Sequence, residues 1–550
     1  MASVSAHVAH ALSAHVDHVF GVMGNGNAAL LDALDRTSAR YTALRHEAGG
    51  VVAADAHYRA SGRLAAATAT YGAGFTNSLT ALAESAQARI PVVLVVGDAP
   101  TTGVRPWDVD QAAMAAAAGV PTLTAGREDA AATTVRAIEH ALAHRTPVVL
   151  AVPYDLATAD AGELPSADEL RTVTLLAPLE PDSARLDAVA ELLAVARRPF
   201  LLAGRGAWLA GAGDALARLA GLTGAVTAST ALARGIFPDR GFDLGVTGGF
   251  GQEDAMALVH EADVAVVFGA GLNQFTTRFG QLFAPGTRVV QVDLAPEATN
   301  PAVTDFVAGD ARLAASGIAD RLERTGAAPS GWRESVDFAP LRRLHPGDDV
   351  APDGRLDPRR VAARLGELLP EDRVVVSDGG HFIGWANMYW PVAAPDRMLM
   401  VGTAFQSIGL GLPSVPGAAA AKPDAAIVLT TGDGGGLMAL ADLESAVRTA
   451  AGRGIAVVWN DAAYGAEVNL YGLKGYAEEP MLIPEVDFAG LANAVGAEGV
   501  VVRELADLDR LASWAAEPVA ERRFLLLDCR ISGRVIAPYQ HEVIAVNRGR

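Results

Sequence analysis

The sequence predicts an α/β protein made of three doubly wound parallel sheets. Three observations carry that expectation. Short apolar, β-branched runs alternate with helix-length segments in three successive stretches, 1–165, 183–325 and 358–535. Most of these runs close on a Gly-rich turn. Two segments rich in Pro, Asp, Glu, Gly or Ala, 160–182 and 326–357, separate the stretches and read as linkers. Apolar runs without alternation are strands buried on both faces, which parallel sheets covered by helices require.

Composition agrees. The chain has 550 residues, 51% of them hydrophobic, enough core for about three or four domains. Its 44 Lys and Arg face 63 Asp and Glu, a formal charge of −19. With no basic block, a nucleic-acid surface is not expected. A single cysteine, Cys529, leaves no intrachain disulfide and no Cys-based metal site. No apolar run approaches the ~18 residues of a membrane span. Met1 to His18 lacks a basic region followed by an apolar one, so a cytoplasmic location is expected.

In the first stretch, Val19 to Val22 leads into the tight turn Gly24-Asn25-Gly26-Asn27, and Ala28 to Arg36 reads as a helix. Tyr41 to Leu44 leads to Arg45-His46-Glu47 and a helix through Tyr58. Leu64 to Thr70 opens on Tyr71-Gly72-Ala73-Gly74-Phe75-Thr76-Asn77, and Ile90 to Val96 closes on Gly97-Asp98. In the second, Pro199 to Ala203 runs into Gly204-Arg205-Gly206, Val264 to Phe268 into Gly269-Ala270-Gly271, and Val289 to Val292 ends at Asp293. Glycine at such turns could cradle a nucleotide, though sheet-to-helix turns favour it anyway. In the third, Arg373 to Ser377 precedes Asp378-Gly379-Gly380-His381, and Gly402 to Pro413 is a Gly-rich turn opening a helix. Val535 to Arg550 reads as a polar tail that could cover a site.

The most informative stretch follows. Ile427 to Thr430 reads as a buried strand, Gly432-Asp433-Gly434-Gly435-Gly436 as its turn, and Leu437 to Arg448 as a helix. Glycines let the backbone approach a phosphate, and a helix N-terminus offers free N–H groups. Asp433 adds a carboxylate where a hard cation would bridge phosphates. Some two dozen residues later a second strand, Ile455 to Trp459, delivers Asn460-Asp461-Ala462-Ala463. Adjacent strand ends lie about 5 Å apart, so Asp433 and Asp461 can share one metal.

This arrangement resembles the thiamine-diphosphate-dependent enzymes, whose shared motif is Gly-Asp-Gly followed, after that interval, by Asn-Asn or Asn-Asp. The resemblance implies a pyrimidine-binding domain, a central Rossmann-like domain and a diphosphate-binding domain, with thiamine diphosphate and Mg²⁺ as cofactors. Its metal ligands would be Asp433, Asp461 and the carbonyl of Ala463. Asp461 departs from the commoner Asn, but a carboxylate is an equally good hard ligand. By the same resemblance Gly380, His381, Gln406, Ser407, Gly434 and Gly435 would touch the diphosphate, and Ile408 would sit under the bridge between the cofactor rings; from the residues alone Ile408 could equally be core.

In the first stretch, Glu47 matches the family's cofactor-activating glutamate, although a glutamate at a helix head is also simply favourable there. Tyr71 to Asn77 matches the Gly-rich turn before the next helix, which makes Tyr71 and Asn77 cofactor-binding candidates. Gln111 matches a pocket residue of acetolactate synthases, and Asn25 and Gly26 are further pocket candidates. His46 reads as structural. In acetolactate synthases the central domain binds FAD; Leu272-Asn273-Gln274-Phe275-Thr276 departs from that pattern, and FAD is not expected.

The resemblance implies decarboxylation of a pyruvate-like 2-oxo acid with carboligation to a second carbonyl, as in the acetolactate synthase-like group. Glu467 stands where pyruvate decarboxylases carry an acidic proton relay, which keeps open a decarboxylase releasing an aldehyde; it could also be a solvated helix-start acid. Hydroxy-ketone or hydroxyacyl-CoA cleavage is open too. Val468 and Leu470 would help shape the pocket, Leu470 replacing the tryptophan of acetolactate synthases. The family pairs the first domain of one chain with the third of another, so a homodimer or homotetramer with interfacial sites is expected. The remaining partner would be a small 2-oxo acid or aldehyde, with no nucleic acid and no membrane.

Overall fold

The structure, a computed structural model, describes residues 2–548 other than 167, 168, 171, 172 and 174. Those five fall in the expected linker 160–182, and 549 and 550 end the expected tail; these parts lie outside the described residues. Among the described residues, eighteen strands form three six-stranded, all-parallel sheets.

The first sheet holds β1 (His18–Gly21), β2 (Arg40–Ala43), β3 (Ala66–Ala69), β4 (Val92–Asp98), β5 (Thr122–Thr124) and β6 (Pro147–Pro153) in the order β2-β1-β3-β4-β6-β5. The second holds β7 (Pro199–Ala203), β8 (Val226–Ser229), β9 (Asp243–Val246), β10 (Val264–Phe268), β11 (Arg288–Asp293) and β12 (Asp305–Ala308), ordered β12-β11-β10-β7-β8-β9. That is the Rossmann order read from its far edge. The third holds β13 (Arg373–Ser377), β14 (Met398–Met400), β15 (Ala426–Gly432), β16 (Gly454–Asn460), β17 (Glu498–Val502) and β18 (Leu525–Arg530), ordered β14-β13-β15-β16-β18-β17. Its connectivity repeats that of the first sheet strand for strand.

The central strands are buried throughout except at Asp98, which is half-buried at the end of β4, as their unbroken apolar runs require. The first and third sheets share one continuous core. Its seam is a helix pair, Glu47–Ser61 after β2 and Gly411–Ala421 after β14. At Gly417 a Cβ would stand 1.9 Å from the carbonyl oxygen of Ala53, so only glycine permits this approach.

Three segments differ from the sequence reading. The helix expected over Leu437 to Arg448 is broken into Asp433–Met438, a single 3₁₀ turn Leu440–Asp442, and Leu443–Ala450. The break frees the Asp442 carboxylate to accept the Arg45 N–H at 2.9 Å and the Ser445 hydroxyl at 2.9 Å, fixing the turn ahead of Glu47. The expected linker 326–357 contains the helix Phe338–Leu341, and its Trp332 and Phe338 are buried in the central core. The expected tail forms the helix Pro538–Arg548, docked through Tyr539 against Phe250 and Phe275.

Candidate active site

In each of the two matching sheets the strand order reverses between the first and third strands, where open α/β sheets bind ligands. In the third sheet this crevice lies between β13 and β15. Its walls belong to a cavity of about 1550 Å³ lined by Gly380, His381, Gln406, Ser407, Ile408, Asp433, Gly434, Gly435, Asp461, Ala463, Glu467 and Leu470, among others. The cavity continues over Arg205, Gly206, Gly269 to Gly271 and Asp293, at the C-terminal edge of the central sheet.

Sheet register explains how the two aspartates meet. Gly432 pairs with Trp459, so Asp433 and Asp461 leave adjacent strands one step apart. Asp433 is buried, and its Oδ2 has no hydrogen-bond partner. Burial pushes its carboxyl up to about 6. Asp461, open to the cavity but otherwise surrounded by protein, is pushed up to about 7, first by burial and then by the charge of Asp433. Two neighbouring carboxylates, one with an orphaned buried oxygen, are a donor set that would suit a hard cation. Ala462, between the second aspartate and Ala463, holds the left-handed backbone at φ 60°, a sparsely populated conformation of the kind that concentrates at functional turns.

The turns around the aspartates suit a diphosphate. A Cβ on Gly435 would stand 2.7 Å from Asp378 Oδ2, and one on Gly434 would stand 2.6 Å from the Tyr464 ring. Bare backbone therefore faces the cavity at the helix start. Asp378, whose role the sequence reading missed, is fully buried beneath this cradle. It accepts the N–H groups of Gly379 (2.8 Å), Gly409 (3.0 Å) and Leu410 (3.3 Å) and the hydroxyl of Thr431 (3.1 Å), so one carboxylate ties three turns together. Its signal was a lone Asp closing a strand beside Gly-Gly. Ile408 is half-exposed on the cavity wall rather than sealed in core.

His381 is buried, and its Nε2 accepts the Ala537 N–H at 2.9 Å. A backbone N–H can only donate, so this imidazole is neutral with its proton on Nδ1. Burial, followed by His541, lowers its pKa to about 4. The Tyr539 hydroxyl donates to the His381 carbonyl at 3.1 Å, so the C-terminal helix braces the same turn. Glu467 is exposed in the helix Gly465–Leu470, and Val468 in that helix does not line the cavity.

The first-sheet candidates form a separate cluster at the equivalent corner. Asn77 Nδ2 donates to Glu47 Oε2 at 2.9 Å, Asn25 Nδ2 donates to the Tyr71 hydroxyl at 2.8 Å, and the Gly26 N–H donates to Thr70 Oγ1 at 2.9 Å. Gln111 is buried and fully engaged: it accepts the Gly72 N–H at 2.8 Å and donates to the Gly97 carbonyl at 3.0 Å. It braces the Tyr71 turn and presents no free amide. His46 caps its helix, accepting the Ala48 N–H at 3.3 Å. Among the described residues, Glu47, Asn25, Gly26, Tyr71, Asn77 and Gln111 are absent from the lining of the cavity that holds Asp433. Arg105, another residue the sequence reading missed, stacks on Tyr71 with its guanidinium 4.1 Å from the ring centre.

Two sheets of one topology flanking a Rossmann sheet, one carrying a glycine cradle with paired acids and the other a glutamate corner, define an enzyme that binds a phosphorylated cofactor. Comparison with known proteins agrees. Residues 2–120 match the thiamine pyrophosphate enzyme N-terminal TPP binding domain, 186–318 the central domain, and 378–529 the C-terminal TPP binding domain. The chain belongs to the thiamine pyrophosphate enzymes. It is 27% identical to a sulfoacetaldehyde acetyltransferase of Castellaniella defragrans, over 96% of this chain and 93% of that one. It is 28% identical to the acetolactate synthase isozyme 2 large subunit of Escherichia coli, over 90% and 89%. The fold superposes on a thiamine diphosphate-dependent 4-hydroxybenzoylformate decarboxylase of Rhodococcus jostii with a TM-score of 0.79, at 22% identity, over 96% of this chain and 99% of that one. Among the described residues, no helix is long and apolar enough to cross a membrane.

Proposed function

We propose that this enzyme decarboxylates a pyruvate-like 2-oxo acid and joins the retained fragment to a second carbonyl, in an acetolactate synthase-like reaction. The observation that carries the reading is the Asp433–Asp461 pair beside a glycine cradle, with one buried carboxylate oxygen left unpartnered. Relatives named acetolactate synthase and sulfoacetaldehyde acetyltransferase support a group-transferring reaction. Bound thiamine diphosphate supplies the carbon nucleophile and the electron sink that decarboxylation needs.

The chain's residues do the rest. Asp433, Asp461 and the Ala463 carbonyl would hold Mg²⁺ against the diphosphate. The backbone of Gly380, Gly434 and Gly435, with His381, Gln406 and Ser407, would border the diphosphate without adding charge. Ile408 would set the angle between the cofactor rings. Glu47, oriented by Asn77 through Oε2, would keep Oε1 for the cofactor's pyrimidine and share a proton there. Tyr71, Asn25 and Gly26 would wall the same corner, with Gln111 behind them, and Leu470 would shape the acceptor side.

Because the Glu47 corner lies outside the Asp433 cavity, the site would be completed by a second chain. Exposed apolar side chains at both corners support this: Met23, Val104 and Trp107 in the first domain, Phe405, Met438 and Tyr476 in the third. Glu467 on the cavity wall favours a second reading, protonation of the retained fragment and release of an aldehyde. The proposal includes no flavin, and the visible absorbance spectrum of the purified protein checks that.

Product analysis with pyruvate, thiamine diphosphate and Mg²⁺ tests the reading in wild type and Glu47→Ala. Acetolactate or another hydroxy ketone, lost in the variant, is the expected result. Free aldehyde alone would favour the second reading. Failure to bind the cofactor would overturn both.

A further inference from the structure

A buried charge cluster sits where the first domain meets the loop after β14. Asp55 and Arg59, near the end of the helix Glu47–Ser61, and Glu84, in the helix Leu79–Gln87, are almost wholly withdrawn from solvent. Arg59 Nε donates to Asp55 Oδ1 at 2.5 Å and Nη2 to Glu84 Oε1 at 3.4 Å; Ser85 Oγ donates to Asp55 Oδ2 at 2.8 Å. Arg59 gives its short ion pair to Asp55, which buried Arg205 also faces, and Glu84 is left with one long contact to Arg59, at 3.4 Å. The third domain answers Glu84 with backbone: the Phe405 N–H donates to Glu84 Oε2 at 2.7 Å and the Ala404 N–H to Oε1 at 3.4 Å. Arg59 Nη1 returns a bond to the Met400 carbonyl at 3.0 Å.

We propose that Glu84, with Arg59 and Asp55 behind it, is a positioning residue for the cofactor loop of its own chain. The loop it grips runs straight into Gln406, Ser407 and Ile408 on the cavity wall. Gln406 holds φ 62° and the Ser407 N–H closes the turn on the Gly402 carbonyl at 2.8 Å. A non-glycine residue keeps such a backbone only when its surroundings over-determine it. Charge-assisted bonds from two consecutive N–H groups to one buried carboxylate do that here, and breaking them leaves a buried charge without donors. The first domain thus serves two sites, offering Glu47 at the start of one helix and gripping its own chain's cofactor loop near that helix's end.

The inference rests on the thiamine diphosphate reading above, and its test separates the two. Glu84→Gln keeps the side chain's shape and one acceptor but removes the charge that the Ala404 and Phe405 N–H groups meet. Full-length wild type and variant are compared by hydrogen exchange without cofactor and by fluorescence titration with thiamine diphosphate and Mg²⁺. The expected result is exchange at Ala404 and Phe405 faster by about tenfold or more, unchanged exchange in the first turns of the helix Glu47–Ser61, and cofactor affinity lower by about tenfold. Glu84→Asp keeps the charge but retracts it from the loop; it should show the same pattern more weakly, and it carries the test if Glu84→Gln does not fold. Unchanged loop exchange, or a lower melting temperature with loop and cofactor affinity intact, would overturn the positioning role alone. A wild type that binds no thiamine diphosphate would overturn the cofactor reading and this inference with it.

Discussion

The first and third domains are the same scaffold put to different uses. Their sheets share one strand order, so each corner of one has a counterpart in the other. After the first strand stand Asn25 and Gly26, or Gly380 and His381. After the second stand Glu47, or Gln406 to Ile408. After the third stand Tyr71 to Asn77, or Asp433 to Gly435. The third domain strips side chains from its turns and buries carboxylates beneath and beside them, which suits phosphate and cation. The first domain projects side chains, a glutamate, a tyrosine and asparagines, which suits a neutral heterocycle. Topology alone does not assign a task to such a sheet; the turn residues do. Within one chain the two corners open separately, and the helices that follow the second strands pack on each other at Gly417 and Ala53.

The strongest test of that division is complementation. Glu47→Ala should lose about 10²–10⁴-fold in turnover while still binding cofactor, as expected for a lost proton-transfer group. Asp433→Ala should fail to hold cofactor at all. If each site is built from two chains, dissociating and mixing the two inactive variants should restore about a quarter of wild-type activity, since half the dimers would be mixed and each would hold one intact site. Mixing that restores nothing would place both half-sites in one chain.

Matched glycine substitutions sharpen the comparison. In Gly435→Ala the new methyl would press on Asp378, which three turns hold in place; in Gly74→Ala it would press on Thr70 and approach Glu47 Oε1 at 3.5 Å. Titration should show thiamine diphosphate affinity about tenfold or more lower for Gly435→Ala. Steady-state kinetics should show Gly74→Ala impaired in kcat instead, with affinity nearly unchanged. Equal losses of affinity would mean that the two corners are not specialised.

Both domains also bury a neutral histidine, and each shifts acid stability. Burial, then His18, lowers the His57 pKa to about 4 against an ordinary 6.5. Between those values the unfolded chain binds more protons than the folded one, so stability is full above pH 6.5 and declines as pH falls toward 4. The contribution is about 3 kcal/mol at its limit. His57→Leu should flatten that part of the curve of melting temperature against pH, leaving the decline due to His381 in the third domain.

Much of this was legible in the sequence because it rests on local rules. Unbroken apolar runs such as Val264–Phe268 and Arg373–Ser377 gave their strands to the residue, and the Asp433–Asp461 spacing implied one crevice because parallel register is fixed by neighbouring strands. What stayed hidden was set by distant partners. Gln111 could not be seen to be spent on Gly72 and Gly97, nor Asp442 to break a helix for Arg45, because nothing near either residue in the chain signals those contacts. Glu84 and Arg59 drew no expectation from the sequence for the same reason.

The smallest effects test the seam between the first and third domains. Gly417→Ala adds one methyl against the Ala53 carbonyl, where the Cβ would stand 1.9 Å away. The helices must separate, and overpacking of this kind costs about 1–3 kcal/mol. The reciprocal change, Ala53→Gly, leaves that carbonyl in place, removes a buried methyl and adds backbone freedom, which costs about 1 kcal/mol in a helix interior. Calorimetry should therefore rank Gly417→Ala below Ala53→Gly in melting temperature, though alanine is the better helix former. The opposite order would mean that propensity outweighs contact at the seam, and that the close approach of these helices does not hold the two domains in register.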